Sequence, residues 1–252
     1  MKKKFLMFTT IATIVFMSCS KDQMERPETG QPEEFTGAAN QGTNRGGGPT
    51  LSLSTALTAH FKFDGNLSDS SRQVAPGVPA YGTPVYTADR KGTINSAIKF
   101  DGTYGVNVGD IPLDSNMSIS FWMKYEGTTR NAALFFVEGS HSFVFSQTEN
   151  YKFMGGHWNY MTPVNFFTKS LFNDWHHVAA TRDNNTFKFY IDGKLVGSKS
   201  FPTPGTPPVT TSDYLLGYGY NAGYKFWKGN LDDLRIYKKV LSSLEVNALA
   251  NL

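Results

Sequence analysis

Tyr151, His157, Trp158 and Tyr160 fall within one stretch, "ENYKFMGGHWNYMTPVNFF", and Tyr218, Tyr220, Tyr224 and Trp227 within another, "LLGYGYNAGYKFW". Both mix aromatic rings with glycine and polar side chains, and "TYGVN" does so in miniature. Aromatic rings pack against the apolar C–H faces of sugars, while Asn, His and Asp hydrogen-bond the hydroxyls. This composition is therefore that of a glycan site with few strong charges. Gly155-Gly156 places the first stretch at a loop or hairpin tip. The candidate ligand contacts are Trp158, Tyr160, His157 and Tyr151 from the first stretch, with Tyr220 and Trp227 from the second. The competing reading is that half or more of these rings are core.

Other reactive groups are sparse. Cys19 is the sole cysteine and follows "MKKKFLMFTTIATIVFMS", a basic start and a short apolar run ending on small Ser18. That run is too short and wrongly flanked for a stable membrane span, so residues 1–18 read as a signal peptide. "FMSC" reads as a lipobox, in which the Cys19 thiol is acylated and becomes the mature N-terminus, anchored by lipid without spanning. An ordinary signal peptide with a stray cysteine near its cut site is the alternative. The "CSKDQMERPE" that follows resembles the acidic export signal of surface lipoproteins of the Bacteroidetes type, which implies an outer-membrane, surface-exposed location. His176 and His177 are adjacent on a strand pattern and point to opposite faces, which makes them structural rather than ligands of one metal. No motif pairs a nucleophile with a base. "RGGG" at Arg45–Gly48 lacks the Lys-Ser/Thr of a phosphate loop and reads as linker. The formal charge of +3 vanishes once Lys2, Lys3 and Lys4 are removed, and no dense basic run remains, which argues against a nucleic-acid partner.

These residues need elements to hold them. Residues 19–50 are rich in Gly, Pro, Glu, Gln and Asn with Phe35 as their one aromatic, and read as a flexible tether reaching a few tens of Å at roughly 5–6 Å × √n. From residue 51 the texture changes to short alternating runs bounded by turn signals. In "TFKFYI", Phe187, Phe189 and Ile191 share one face against Lys188 and Tyr190; in "SISFWMK", Ile119, Phe121 and Met123 oppose Ser120, Trp122 and Lys124. Leu234 and Ile236 likewise oppose Asp233, Arg235 and Tyr237. Asp192-Gly193 marks a two-residue hairpin, and "DNN" at 183–185 a second turn. The one good helix signal is at the end, where Ser242 and Glu245 make a capping box. The expectation is an all-β, two-sheet antiparallel sandwich of roughly a dozen strands over residues 51–252, closed by a short C-terminal helix.

The tetrapeptide "KFDG" occurs at Lys62–Gly65 and Lys99–Gly102, but the flanks diverge at once, so it is no tandem repeat. In order, "FDGNLSDSS", "SAIKFDG", "SISFW", "WHHVA", "YIDGKLV" and "GNLDDLRIYKKVLS" resemble the laminin-G-like jelly rolls of the concanavalin A-like lectin/glucanase superfamily across residues 57–252. The resemblance implies two facing curved sheets and places Trp122 and Trp175, inside family strand motifs, in the core. It implies a structural calcium where the first strand meets the last, with Asp232 as carboxylate ligand and Asp64 as second contributor. Turn-capping is the competing role for both, and Asp101 reads as a turn residue beside the site. Glucanases of the superfamily carry an E-x-D-x-x-E motif that places a nucleophile and an acid together. Glu126, Glu138, Glu149 and Glu245 are each isolated, so catalysis is not expected. The resemblance and the aromatic surplus together imply a non-catalytic carbohydrate-binding surface lipoprotein, accessory to glycan capture or degradation. The alternative is a protein-interaction or adhesion module.

Overall fold

In a computed structural model of the chain, the structure describes residues 51–112, 114–127, 132–137, 145–147, 153–154, 172–184, 186–200, 211–218 and 225–252. Two antiparallel sheets stack face to face. The first has eight strands; in spatial order its main path runs Lys194–Ser200, Thr186–Ile191, Trp175–Asp183, Asn116–Tyr125, Lys228–Tyr237, Ala97–Asp101 and Tyr86–Thr87, and Leu57–Phe61 also pairs with Lys228–Tyr237. The second has seven, with a path that begins Val78–Tyr81, Gly105–Pro112, Thr211–Leu216 and Ala132–Val137.

Alternation decides which side chains lie between the sheets. Ile119, Phe121 and Met123, then Phe187, Phe189 and Ile191, then Leu234 and Ile236 all enter one buried cluster, as their period-two pattern requires. From the second sheet Val106, Val108, Ile111, Tyr214 and Leu216 meet them. The hairpin at Asp192-Gly193 forms with positive φ at both residues, 49° and 78°, the geometry that Asp-Gly favours. Asn184 likewise turns with φ 46° in the second predicted turn.

The helix Ser243–Ala250 starts on a complete capping box, Ser242 Oγ accepting from the Glu245 amide at 3.2 Å while the Glu245 carboxylate takes the Ser242 amide at 2.9 Å. It covers part of the first sheet's outer face, where Val246 and Leu249 pack with Ala179, Tyr190, Tyr237 and Leu241. Leu53 and Leu57 complete this second cluster, so the start of the domain lies on that same face. Two of the tryptophans expected in the core are not there. Trp122 and Trp175 are half-buried, because each falls on the strand face that points away from the second sheet. Among the described residues no helix is long and apolar enough to cross a membrane.

Candidate functional site

Of the six predicted ligand contacts, Tyr151, His157, Trp158, Tyr160 and Tyr220 lie outside the described residues, as does Cys19. Trp227 is described, and it is a core residue rather than a surface contact. Its side chain is 0% exposed and packs between Phe100, 5.8 Å between ring centres, and Tyr125, 5.9 Å. The next position but one explains why: a Cβ at Gly229 would sit 2.6 Å from the indole, so the missing side chain makes room for it. Alternation then sends its neighbour Phe226 outward.

That outward ring joins a group the sequence only half revealed. Tyr218 stands edge-on to Tyr81 at 5.2 Å and lies 6.1 Å from Phe226, while Tyr81 and Phe226 meet edge-on at 5.9 Å. The floor is Gly105, the glycine of "TYGVN". Tyr104, Val106 and Val108 of this stretch face the core, so Gly105 faces out. A Cβ there would fall 1.9 Å from the Tyr218 ring, so the ring rests on bare backbone. Tyr81 is paired across from Gly105 and is 56% exposed. Two residues along the strand, on the same outward side, Asn107 Oδ1 accepts the Gly109 amide at 2.7 Å. The result is an aromatic platform with adjacent polar groups on the outer face of the second sheet. Tyr81 carries no signal in the sequence; the structure places it in a short edge strand.

The predicted metal residues lie on the opposite outer face. There Asp64 and Asp232 line one cleft of about 540 Å³ with His60, Arg90, Asp233 and Arg235. A β-bulge between Asp232 and Arg235, with Asp233 at φ 52°, adds a residue to the last strand, so that Leu231 and Leu234 both reach the core and both aspartates stay outside it. The Asp232 carboxylate is almost fully buried and accepts from Arg90 Nη1 at 2.5 Å. Asp233 meets Arg90 Nη2 at 3.7 Å, His60 Nε2 at 2.6 Å and Arg235 Nε at 3.1 Å. Arg90 also lies over the Trp122 ring, 4.7 Å from its centre. Burial pushes Asp232 up to about 7, with Asp233 and Asp89 adding to the shift and Arg90 opposing it. Burial also tends to raise Asp233, but His60, Arg235 and Arg90 outweigh it and hold it low.

Calcium needs six to eight oxygen ligands. Here the hydrogen-bond and ion-pair partners of both carboxylates are nitrogen groups of His60, Arg90 and Arg235, Asp64 is an exposed side chain, and among the described residues no three His, Cys, Asp or Glu are grouped to hold a metal ion. The donor set does not fit calcium. Asp101 is a turn residue as expected, its Oδ1 accepting the Thr103 amide at 2.8 Å. Asp69 was missed although it belongs to the "FDGNLSDSS" motif. It is buried and accepts the backbone amides of His60, Ser71, Gln73 and Val74 at 2.7–3.0 Å, which together outweigh burial and keep its carboxyl low.

The two histidines are structural. His176 Nδ1 contacts Asp192 at 2.8 Å, and buried His177 Nε2 contacts Ser120 Oγ at 2.8 Å. Burial drives His177 down to about 4. The described glutamates are also in use: Glu126 pairs with Lys124 at 3.5 Å, and Glu245 holds the helix cap.

A laminin-G-type family described as the concanavalin A-like lectin/glucanases superfamily matches residues 100–247. No match was found among curated proteins. Among solved structures, the chain is similar to domain 4 of AbnA, a GH43 extracellular arabinanase from Geobacillus stearothermophilus, in complex with arabinotriose. The TM-score is 0.65 at 27% identity, covering 77% of this chain and 98% of that one. A botulinum neurotoxin type C structure, whose cell entry is described as dependent on interaction with two ganglioside molecules, is similar at TM-score 0.62 and 16% identity over 79% of this chain and 51% of that one. The binding domain of Paraclostridial Mosquitocidal Protein 1 gives 0.57 and 19%, over 79% and 53%. The match spans about half the length of these two chains, and their likeness is one of fold.

Proposed function

The chain belongs to the concanavalin A-like lectin/glucanase superfamily, and we propose that it is a non-catalytic carbohydrate-binding lipoprotein of the cell surface, accessory to glycan capture or degradation. The observation that carries this reading is the platform of Tyr81, Tyr218 and Phe226 above Gly105. An exposed Tyr81 ring beside half-buried Tyr218 and Phe226, with the Asn107 amide nearby, suits a neutral sugar, whose C–H face stacks while its hydroxyls are bonded. The likeness to an arabinanase domain seen with arabinotriose supports an oligosaccharide and names the first probe. Trp158, Tyr160, His157, Tyr151 and Tyr220 remain proposed as further contacts of the same ligand. The engaged state of Glu126 and Glu245 supports a binding rather than a hydrolytic role.

In this reading Cys19 carries the lipid and residues 20–50 the tether. The tether joins at Leu51, beside Leu53 on the outer face of the first sheet.

The test is a titration of the chain from Ser20 onward with arabinotriose and a panel of neutral oligosaccharides. The expected outcome is binding that Tyr218→Ala and Tyr81→Ala each weaken at least about tenfold, the worth of roughly one lost stacked ring, with Trp158→Ala run alongside. A protein partner is the second reading, favoured by one observation: the edge strand Val78–Tyr81 exposes Val78 at 55% and Tyr81 at 56%. A folded chain that binds no sugar in the panel would shift the reading to that partner.

A further inference from the structure

We propose that Arg90 is the resident cation of the Asp232–Asp233 site, so that this domain joins its 89–96 loop to its last strand through a guanidinium and needs no metal ion. Three features place Arg90 there. The bulge presents two adjacent carboxylates on the outer face, and both meet the one guanidinium, at 2.5 and 3.7 Å. The Trp122 ring lies under it at 4.7 Å, a geometry that suits a flat cation. The loop that carries it is closed on itself. Asp89 Oδ1 accepts the Lys91 and Thr93 amides, both at 2.8 Å, and the Asp89 amide donates to the Thr93 carbonyl at 3.1 Å. Arg90 is therefore held out over the sheet by a turn that does not depend on the ion pair.

A divalent ion entering this site would have to displace that arrangement. Asp233 Oδ1 is shared by His60 and Arg235, and Oδ2 of each aspartate faces Arg90. Taking the carboxylates would leave the Arg90 side chain, only 12% exposed, without its partners, and an uncompensated buried charge is strongly unfavourable. A cation fixed to the chain is also present at every metal concentration. The sugar platform, on the other face, would then work equally well in calcium and in chelator.

The experiment is thermal unfolding of the full chain in excess calcium and in excess chelator, for wild type, Arg90→Ala and Arg90→Lys. Wild type should melt at the same temperature in both conditions. Arg90→Ala should lose roughly ten degrees, with Arg90→Lys in between, since a lysine keeps the charge but not the planar fork. A wild-type Tm that falls in chelator, or calorimetric calcium binding by wild type, would overturn the proposal. So would an Arg90→Ala chain that melts with wild type. If Arg90→Ala does not fold, the wild-type comparison and Arg90→Lys still decide.

Discussion

On the outer face of the eight-stranded sheet, Asp232, Asp233, Arg90, Arg235 and His60 are bound to one another in a partly closed cleft, and His177 and Ser120 are paired beside them. On the outer face of the seven-stranded sheet, Tyr81 stands more than half exposed, and the Tyr218 ring rests on a glycine backbone beside Tyr81 and Phe226. The first region has many titratable groups and little left over to offer a ligand. The second, among the described residues, presents aromatic surface to solvent at Tyr81. Density of reactive side chains is thus a poor guide to where a ligand goes; what matters is which groups the fold has already used.

The comparison breaks most visibly at Asp233. Its carboxylate holds His60 at 2.6 Å and Arg235 at 3.1 Å and faces Arg90 at 3.7 Å, with little exposure. Asp233→Ala leaves the Arg235 and Arg90 guanidiniums short of a partner and the His60 ring without its hydrogen bond, and removing one member of a buried pair costs about 3–5 kcal/mol. Denaturant unfolding should show that loss, while the fraction still folded should bind sugar as wild type does. An affinity that collapses in step with the substitution would mean that the charged face is part of the binding site.

A somewhat smaller effect is expected from His177. Its folded pKa of about 4 lies below the ordinary histidine value of 6.5 because burial disfavours the imidazolium. The folded state therefore resists protonation. The stability this group contributes is intact above pH 6.5 and is lost as the pH falls through the window from 6.5 to 4. At 1.36 kcal/mol per unit the loss is of the order of 3 kcal/mol. In urea unfolding across that window, wild type should weaken more steeply than His177→Gln, which has nothing to protonate. Parallel slopes would place the imidazole in contact with water and remove the contrast between a sealed face and an open one.

The sealed face was legible in part. Period-two patterning sorted Phe121 from Ser120 and Leu234 from Arg235, and the "FDG" and "LDD" motifs pointed to the neighbourhood where the first strand meets the last. The partner of Asp232 was not legible, because Arg90 is distant in sequence and arrives on a loop with no periodicity. Asp233 was assigned only a direction, since one inserted bulge residue changes which face a side chain takes and leaves no mark in composition. Trp227 was misplaced because an aromatic beside glycines reads the same whether the glycines open a loop or, as Gly229 does, make space for a buried ring. Tyr81 was overlooked because it stands alone in its strand and gains neighbours only when Gly105 and Tyr218 are brought to it.

Gly105 gives the finest test of the contrast, because it alters the platform without removing a ring. Its φ is not one that demands glycine, so alanine is acceptable to the backbone. The added methyl, however, would lie 1.9 Å from Tyr218 Cδ1, and the ring must lift off the sheet. Tyr81, at 5.2 Å from that ring, then loses one of its two edge-on partners and keeps Phe226. Gly105→Ala should weaken sugar binding by about tenfold, equivalent to about 1.4 kcal/mol. Folding should suffer by no more than about 1 kcal/mol, as a displaced surface ring loses little burial. Isothermal titration with arabinotriose, set beside a denaturant curve for the same variant, separates the two. Unchanged affinity with Tyr218 displaced would move the ligand off this platform and towards Trp158; lost affinity with the fold intact would make a backbone, rather than a side chain, the floor of the site.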